Sequence, residues 1–208
     1  WLEKARKNVE SGSIFEFNRN MKKIVTEFDQ IELLDIQKPR VGVVGEILVK
    51  YSKTANDDIV SIIEEEGGEA VVLDLIGFMN YSLYNQIWKA DEIGFSKKNK
   101  LMAKTFIGII NMLEKPMNKA LKASKRFDSI ESIYDIAAST EEVISIGNHT
   151  GEGWFLTGEM IELLQKGVNN IICLQPFGCL PNHIVGKGMM KELRRQYPGA
   201  NLAPIDYD

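Results

Sequence analysis

The chain has 208 residues, 44% hydrophobic and 26% charged, the balance of an ordinary globular protein with a real core. Its 29 acidic residues outnumber its 25 basic ones, and a net charge of −4 argues against a nucleic-acid or anionic-membrane partner. No apolar run approaches the roughly 20 residues that cross a bilayer, no signal-peptide pattern opens the chain, and two cysteines make no disulfide framework, so a reducing cytoplasm is the expected setting.

Apolar residues recur at helical spacing from 13 to 37 (Phe17, Met21, Ile24, Val25, Phe28, Ile31, Leu34), with Ser13 as a cap and Pro39 as the stop. Residues 1–39 are therefore read as an N-terminal helical segment. Residues 40–45, apolar and closed by glycine, predict a buried strand. Asn56-Asp57-Asp58 predicts a helix start, Gly67-Gly68 its end, and 70–74 a second strand parallel to the first. From 78 to 139 helical patterns take over, with Pro116 marking a kink or break, and this stretch is read as a helical insertion. A second α/β motif follows: a helix over 152–166 capped by Thr150 and stopped by Gly167, a strand over 170–174, a helix over 181–197 and a last strand over 202–205. The expected fold is α/β, a mostly parallel open sheet of the Rossmann or flavodoxin-like three-layer kind. The α/β domain spans 40–208. The chain starts at Trp1 and ends just past a strand, so it is read as a piece of a longer protein.

Four stretches carry chemistry. Cys179 sits in a Pro-Phe-Gly-Cys turn past the carboxyl end of a strand, where open α/β sheets hold their ligands. At the start of a helix, its thiol can ligate a soft metal or an iron–sulfur cluster, or it can be a buried free cysteine. Cys173, inside the apolar strand, reads as core. In Asn148-His-Thr-Gly-Glu-Gly-Trp154, His149 and Glu152 are candidate acid/base groups, against a loop and helix cap with Trp154 and Phe155 as core. After the first strand, Glu46 and Lys50 read as a solvated pair or as ligand contacts. There is no dinucleotide fingerprint and no phosphate-binding loop, so no ATP chemistry is expected in this chain. Gly186 and Gly188 inside the last predicted helix suggest close packing or a frayed turn.

Three segments together resemble the 2-hydroxyglutaryl-CoA dehydratase-like proteins: Val41-Gly-Val-Val-Gly-Glu-Ile-Leu-Val-Lys-Tyr51, Gly151-Glu-Gly-Trp-Phe-Leu-Thr-Gly-Glu-Met160 and Leu174-Gln-Pro-Phe-Gly-Cys-Leu-Pro-Asn-His-Ile-Val-Gly-Lys-Gly-Met189. More narrowly, they resemble a region of the large CoA-substrate-specific enzyme activases of anaerobic bacteria. The resemblance covers about residues 20–208. It implies a [4Fe-4S] or double-cubane cluster in the full-length protein, held by cysteines from several domains and reduced by an ATP-driven activator. The chemistry it implies is dehydration of a 2-hydroxyacyl-CoA or reduction of a small substrate. Cys179 matches a cluster-ligand position, with other ligands outside this chain. The resemblance groups Gly45, Glu46, Lys50, Gly151, Gly153, Gln175, Pro176, Phe177, Gly178, Asn182, His183 and Gly186 around a cluster or substrate cleft. The implied partners are the activator ATPase module, sister dehydratase-like domains, and an acyl-CoA or small reducible substrate. Neither nucleic acid nor membrane is expected. The chain alone is expected to be inactive and to hold no cofactor. Two other readings stand beside this one: a non-catalytic docking or scaffold domain, and an independent small-molecule-binding α/β domain.

Overall fold

A computed structural model describes residues 1–208. In chain order the elements are α1 (Leu2–Ser11), α2 (Ile14–Asp29), β1 (Arg40–Gly45), α3 (Ile47–Tyr51), α4 (Ile59–Glu65), β2 (Glu69–Val72), α5 (Leu75–Glu92) and α6 (Lys97–Ala123). They continue with α7 (Ile133–Glu141), α8 (Gly153–Gln165), β3 (Asn170–Pro176), α9 (Leu180–Val185), a 3₁₀ turn (Lys187–Met189), α10 (Met190–Gln196) and β4 (Asn201–Tyr207). The chain divides into two compact units, Trp1–Asp35 with Ser96–Glu131, and Ile36–Phe95 with Ser132–Asp208. The helices between β2 and β3 are thus split, with α6 in the first unit and α5 and α7 in the second.

In the first unit α2 packs along α6. Ser13 caps α2 as its sequence suggests, its Oγ accepting from the Glu16 N–H at 3.3 Å. The helix ends at Asp29, not at 37. Ile31, Leu33, Leu34 and Ile36 are all more than half exposed, so no packing extends the helix toward Pro39. Ser124 Oγ donates to Asp29 Oδ1 at 2.7 Å, and Arg126 donates to the carbonyls of Phe28 and Ile31, anchoring that end. Of the kink or break expected at Pro116, the break does not occur: α6 continues through it.

The second unit carries the sheet. All four strands are parallel, in the order β2-β1-β3-β4, as the α/β reading requires. Alternation along the strands sends Val43 and Leu174 to one face, packed on Val49, Ile59 and Ile63 of α3 and α4. Val44, Ile171 and Cys173 face the other way, onto Leu156, Met160, Val185 and Leu193 of α8, α9 and α10. Each such buried aliphatic side chain stabilises the fold by roughly 1.5–3 kcal/mol. The α8 helix is buried along almost its whole length, from Gly153 to Leu164. Its Trp154 and Phe155 meet Tyr81 of α5 at ring-centroid distances of 5.2 and 5.4 Å, so both aromatics are core. Asn56 caps α4 through Oδ1, which accepts from the Ile59 N–H at 3.3 Å. The expected Thr150 cap on α8 is absent. The helix is entered from Glu152 with no side-chain cap, and the Thr150 carbonyl takes the Gly153 N–H.

The predicted helix over 181–197 is two helices and a turn. The break falls at Gly186 (φ −98°, ψ −83°), where a Cβ would lie 2.6 Å from the Asn182 carbonyl and 3.0 Å from Cys173 Sγ. Close packing forces the glycine, and the helix gives way there. Pro204 lies on β4, the sheet edge next to β3, where a missing N–H costs no inner ladder bond. No helix is long and apolar enough to cross a membrane.

Candidate functional site

The sheet's connection order reverses between β1 and β3, with β2 on one side and β3 on the other. In parallel open sheets the crevice outside the carboxyl ends at such a point is the usual ligand site. Here β1 runs out at Gly45-Glu46, β3 at Gln175-Pro176, and α8 begins at Gly153.

Backbone contact is very close at this edge. Gly45 has φ 143°, and a Cβ there would sit 2.0 Å from the Leu174 carbonyl oxygen, so only glycine fits. The Glu46 N–H donates to that same carbonyl at 2.9 Å, stitching the two strand ends together. Gly153 (φ 51°) lies under Tyr81, whose hydroxyl would be 2.3 Å from a Cβ and which donates to the Gly151 carbonyl at 3.0 Å. A Cβ on Gly151 would meet the Pro181 ring at 3.1 Å, which brings the α8 entry against the Cys179 turn.

Half-buried Glu46 joins the buried Glu152 and Asn182 in one network. Glu46 Oε2 accepts from the Val49 N–H at 2.9 Å and caps α3. Glu152 Oε1 accepts from the Ile47 N–H at 3.3 Å. Asn182 is fully buried, and its neighbours dictate its amide orientation: Nδ2 donates to Glu152 Oε2 at 2.6 Å and Oδ1 accepts from the Glu46 N–H at 3.2 Å. Burial pushes the Glu152 carboxyl above its ordinary value, backbone donors oppose this, and the Glu46 charge adds to the rise. A carboxyl held this way tunes local charge, but each of its two oxygens is already engaged by the protein.

Lys50 does not pair with Glu46 and is not solvated. It is buried, and its Nζ sits 2.6 Å from Glu159 Oε1 of α8, with side-chain exposures of 1% and 4%. Burial pulls the Lys50 ammonium down, but Glu159 and Tyr51 outweigh it and hold the group above the ordinary lysine value. The reading as a solvated pair overlooked Glu159, one of two glutamates in the buried, mostly apolar run of α8 and the one of them that faces Lys50. A charge embedded in such a run is itself the signal of a buried partner.

His149 stands apart from these groups. Its ring lies 5.2 Å from Trp88, its Nδ1 is buried without a partner, and burial followed by the Lys89 charge lowers its pKa.

The β3 exit holds a second polar group. The Pro176 carbonyl accepts from the Cys179 N–H at 3.1 Å, closing a tight turn through exposed Phe177 and Gly178 (φ 74°). Cys179 is half-buried at the start of α9. That helix has only six residues, so its macrodipole is short. Cys173 is sealed in the core, and burial pushes its thiol up to about 12. Gln175 Nε2 donates to Asp206 Oδ1 at 2.7 Å, and His183 and Lys187 face the same carboxylate. Asp206 is a functional candidate that sequence reading missed, because residues 205–208 read only as a strand end. Its bond from Gln175, backed by Lys187 and His183, holds its carboxyl below the usual range.

For an iron–sulfur cluster the chain thus offers one accessible thiol, Cys179. No group of three or more His, Cys, Asp or Glu side chains gathers anywhere in it. That donor set fits one corner of a cluster and no more. Comparison with protein-family profiles, with curated proteins and with solved structures finds no match.

Proposed function

We propose that this chain is one domain of an ATP-driven iron–sulfur protein of the 2-hydroxyacyl-CoA dehydratase-like kind, in which Cys179 supplies a single cluster ligand. The observation that carries the reading is the contrast between the two thiols. Cys179 stands on the turn beyond the carboxyl end of β3, beside the β1/β3 reversal, while Cys173 is fully buried behind it. When bound, such a cluster supplies low-potential single electrons. The remaining ligands, the activator ATPase and the acyl-CoA or other reducible substrate belong to partner domains.

What this chain's own residues do in that role is positional. The Gly45–Leu174 contact and the Glu46–Asn182–Glu152 network fix the strand ends and the start of α9, so the Cys179 turn is presented on a rigid base. Phe177, Leu180 and Ile184, at 77, 69 and 51% exposure, surround that turn with apolar surface. Such a surface suits burial against a facing protein domain, which supports ligands arriving from a sister domain. The test is anaerobic purification of the native protein that contains this chain, with iron and sulfide counted. Cys179→Ala is expected to lose cluster iron and Cys173→Ala to keep it. Equal iron in both variants refutes the ligand assignment.

A further inference from the structure

We infer that this chain pairs with a second copy of itself, residues 31–35 of each copy docking on the N-terminal half of the other copy's α6. The surfaces involved all belong to the helical unit of residues 1–35 and 96–131, and the pairing is independent of the iron–sulfur reading.

The docking face lies on α6. Leu101, Met102, Phe106, Ile109 and Met112 are 43 to 69% exposed. At 3.6 residues per turn they fall within about 140° of the helix circumference, while Ala103 and Ile107 on the other side are buried. A helix apolar on both sides is built to be covered on both, and here one side is open. The same half of α6 is basic: Lys97, Lys98, Lys100 and Lys104 all precede its first acid, Glu114.

The segment after α2 has the complementary character. Ile31, Leu33 and Leu34 are 51 to 81% exposed, and Glu32 and Asp35 alternate with them. Ile31 and Leu34 keep the helical spacing of Phe28, but such a turn holds only where packing covers it, and α2 stops at Asp29. An apolar, acidic segment without cover thus matches an apolar, basic face without cover. One copy cannot join the two by itself. Ser124, just past α6, bonds Asp29, the last residue of α2, so the two packed helices end together. Leu34 is five residues past Asp29, at most about 18 Å of extended chain. Phe106 lies 18 residues before Ser124, about 27 Å along the helix. A two-fold axis that sets two α6 helices antiparallel brings each segment over the start of the other α6, and makes the contact twice, as an isologous dimer requires. The eight apolar side chains expose roughly 900 Å² per copy, against about 800 Å² that each partner buries in a standard stable interface.

The experiment is sedimentation velocity on the full chain over about 1–100 μM at about 0.1 M salt. A dimer of the 23.5 kDa chain is expected, with a dissociation constant that rises with salt. Phe106→Glu and Leu34→Glu, exposed changes that spare the core, should each weaken the dimer at least about tenfold, because the two-fold counts every change twice. Glu32→Lys/Asp35→Lys should weaken it as well. An equal mixture of the Phe106→Glu and Leu34→Glu chains should dimerise more strongly than either alone, since their heterodimer keeps one intact contact between segment and face. A chain that stays monomeric over the whole range overturns the inference. So does a dimer that Leu34→Glu leaves intact, which would mean that α6 packs on α6 without the segment, and so does a mixture no stronger than its components.

Discussion

Replacing Glu159 with leucine leaves the Lys50 ammonium without its partner. The pair is 2.6 Å long and its side chains are 1% and 4% exposed, so water cannot take over the lost bond without opening the contact between α3 and α8. An ion stranded in this way costs about 3–5 kcal/mol. The Tyr51 ring, 5.0 Å from Nζ, offsets little of it, because a cation–π contact contributes about 0.5–2 kcal/mol. Glu159→Leu should therefore lower stability by about 3–5 kcal/mol in urea unfolding followed by circular dichroism and tryptophan emission. The double variant Lys50→Met/Glu159→Leu removes both charges and should recover most of that loss, since an apolar pair of similar volume replaces a buried ion pair at little cost. A single-variant loss below about 1 kcal/mol, the size of an exposed pair, would refute the burial argument. A double variant less stable than the single one would refute it as well.

The two thiols should separate chemically. At pH 8 a small alkylating reagent should modify Cys179 in the folded chain and leave Cys173, held up to about 12 by burial, until denaturant is added; fast labelling of both would contradict the sealed core. Gly45→Ala should cost about 4 kcal/mol or more, because its Cβ would overlap the Leu174 carbonyl at 2.0 Å, and an unchanged urea midpoint would contradict that contact. Burial lifts the Tyr81 hydroxyl to about 12 in the folded chain, above the ordinary value of 10.0. Its contribution is thus complete below pH 10 and is lost as pH rises toward 12, roughly 3 kcal/mol across those two units. Tyr81→Phe should remove that alkaline slope, and an identical slope in the variant would assign it elsewhere.

The sheet was legible because its signals are local. Residues 40–45 are an apolar run ended by glycine, Asn56 is a side-chain cap, and Gly67-Gly68 closes α4, so β1, α4 and β2 needed no tertiary information. The misread ends have tertiary causes. The apolar residues from Ile31 to Ile36 keep helical spacing but pack on nothing, so α2 stops early. Gly186 breaks a helix because Cys173 and Leu156 crowd it from other elements. The site divides along the same line. Gly45 and Cys179 stood out beside strand ends and Glu152 in the loop before a helix, whereas the Lys50–Glu159 pair spans 109 residues of sequence and only folding joins it. Asp206 was invisible for a similar reason, since its partners Gln175, His183 and Lys187 lie on β3, α9 and the turn between α9 and α10.

The most direct test of the ligand assignment is the electron paramagnetic resonance spectrum of the reduced native protein carrying Cys179→Ser. A serine oxygen in place of a ligating sulfur changes the electronic environment of one iron. The expected result is a shifted spectrum, with or without partial loss of iron, while Cys173→Ser gives the wild-type signal. An unshifted spectrum at full iron content in Cys179→Ser would contradict the proposal that this thiol holds a cluster.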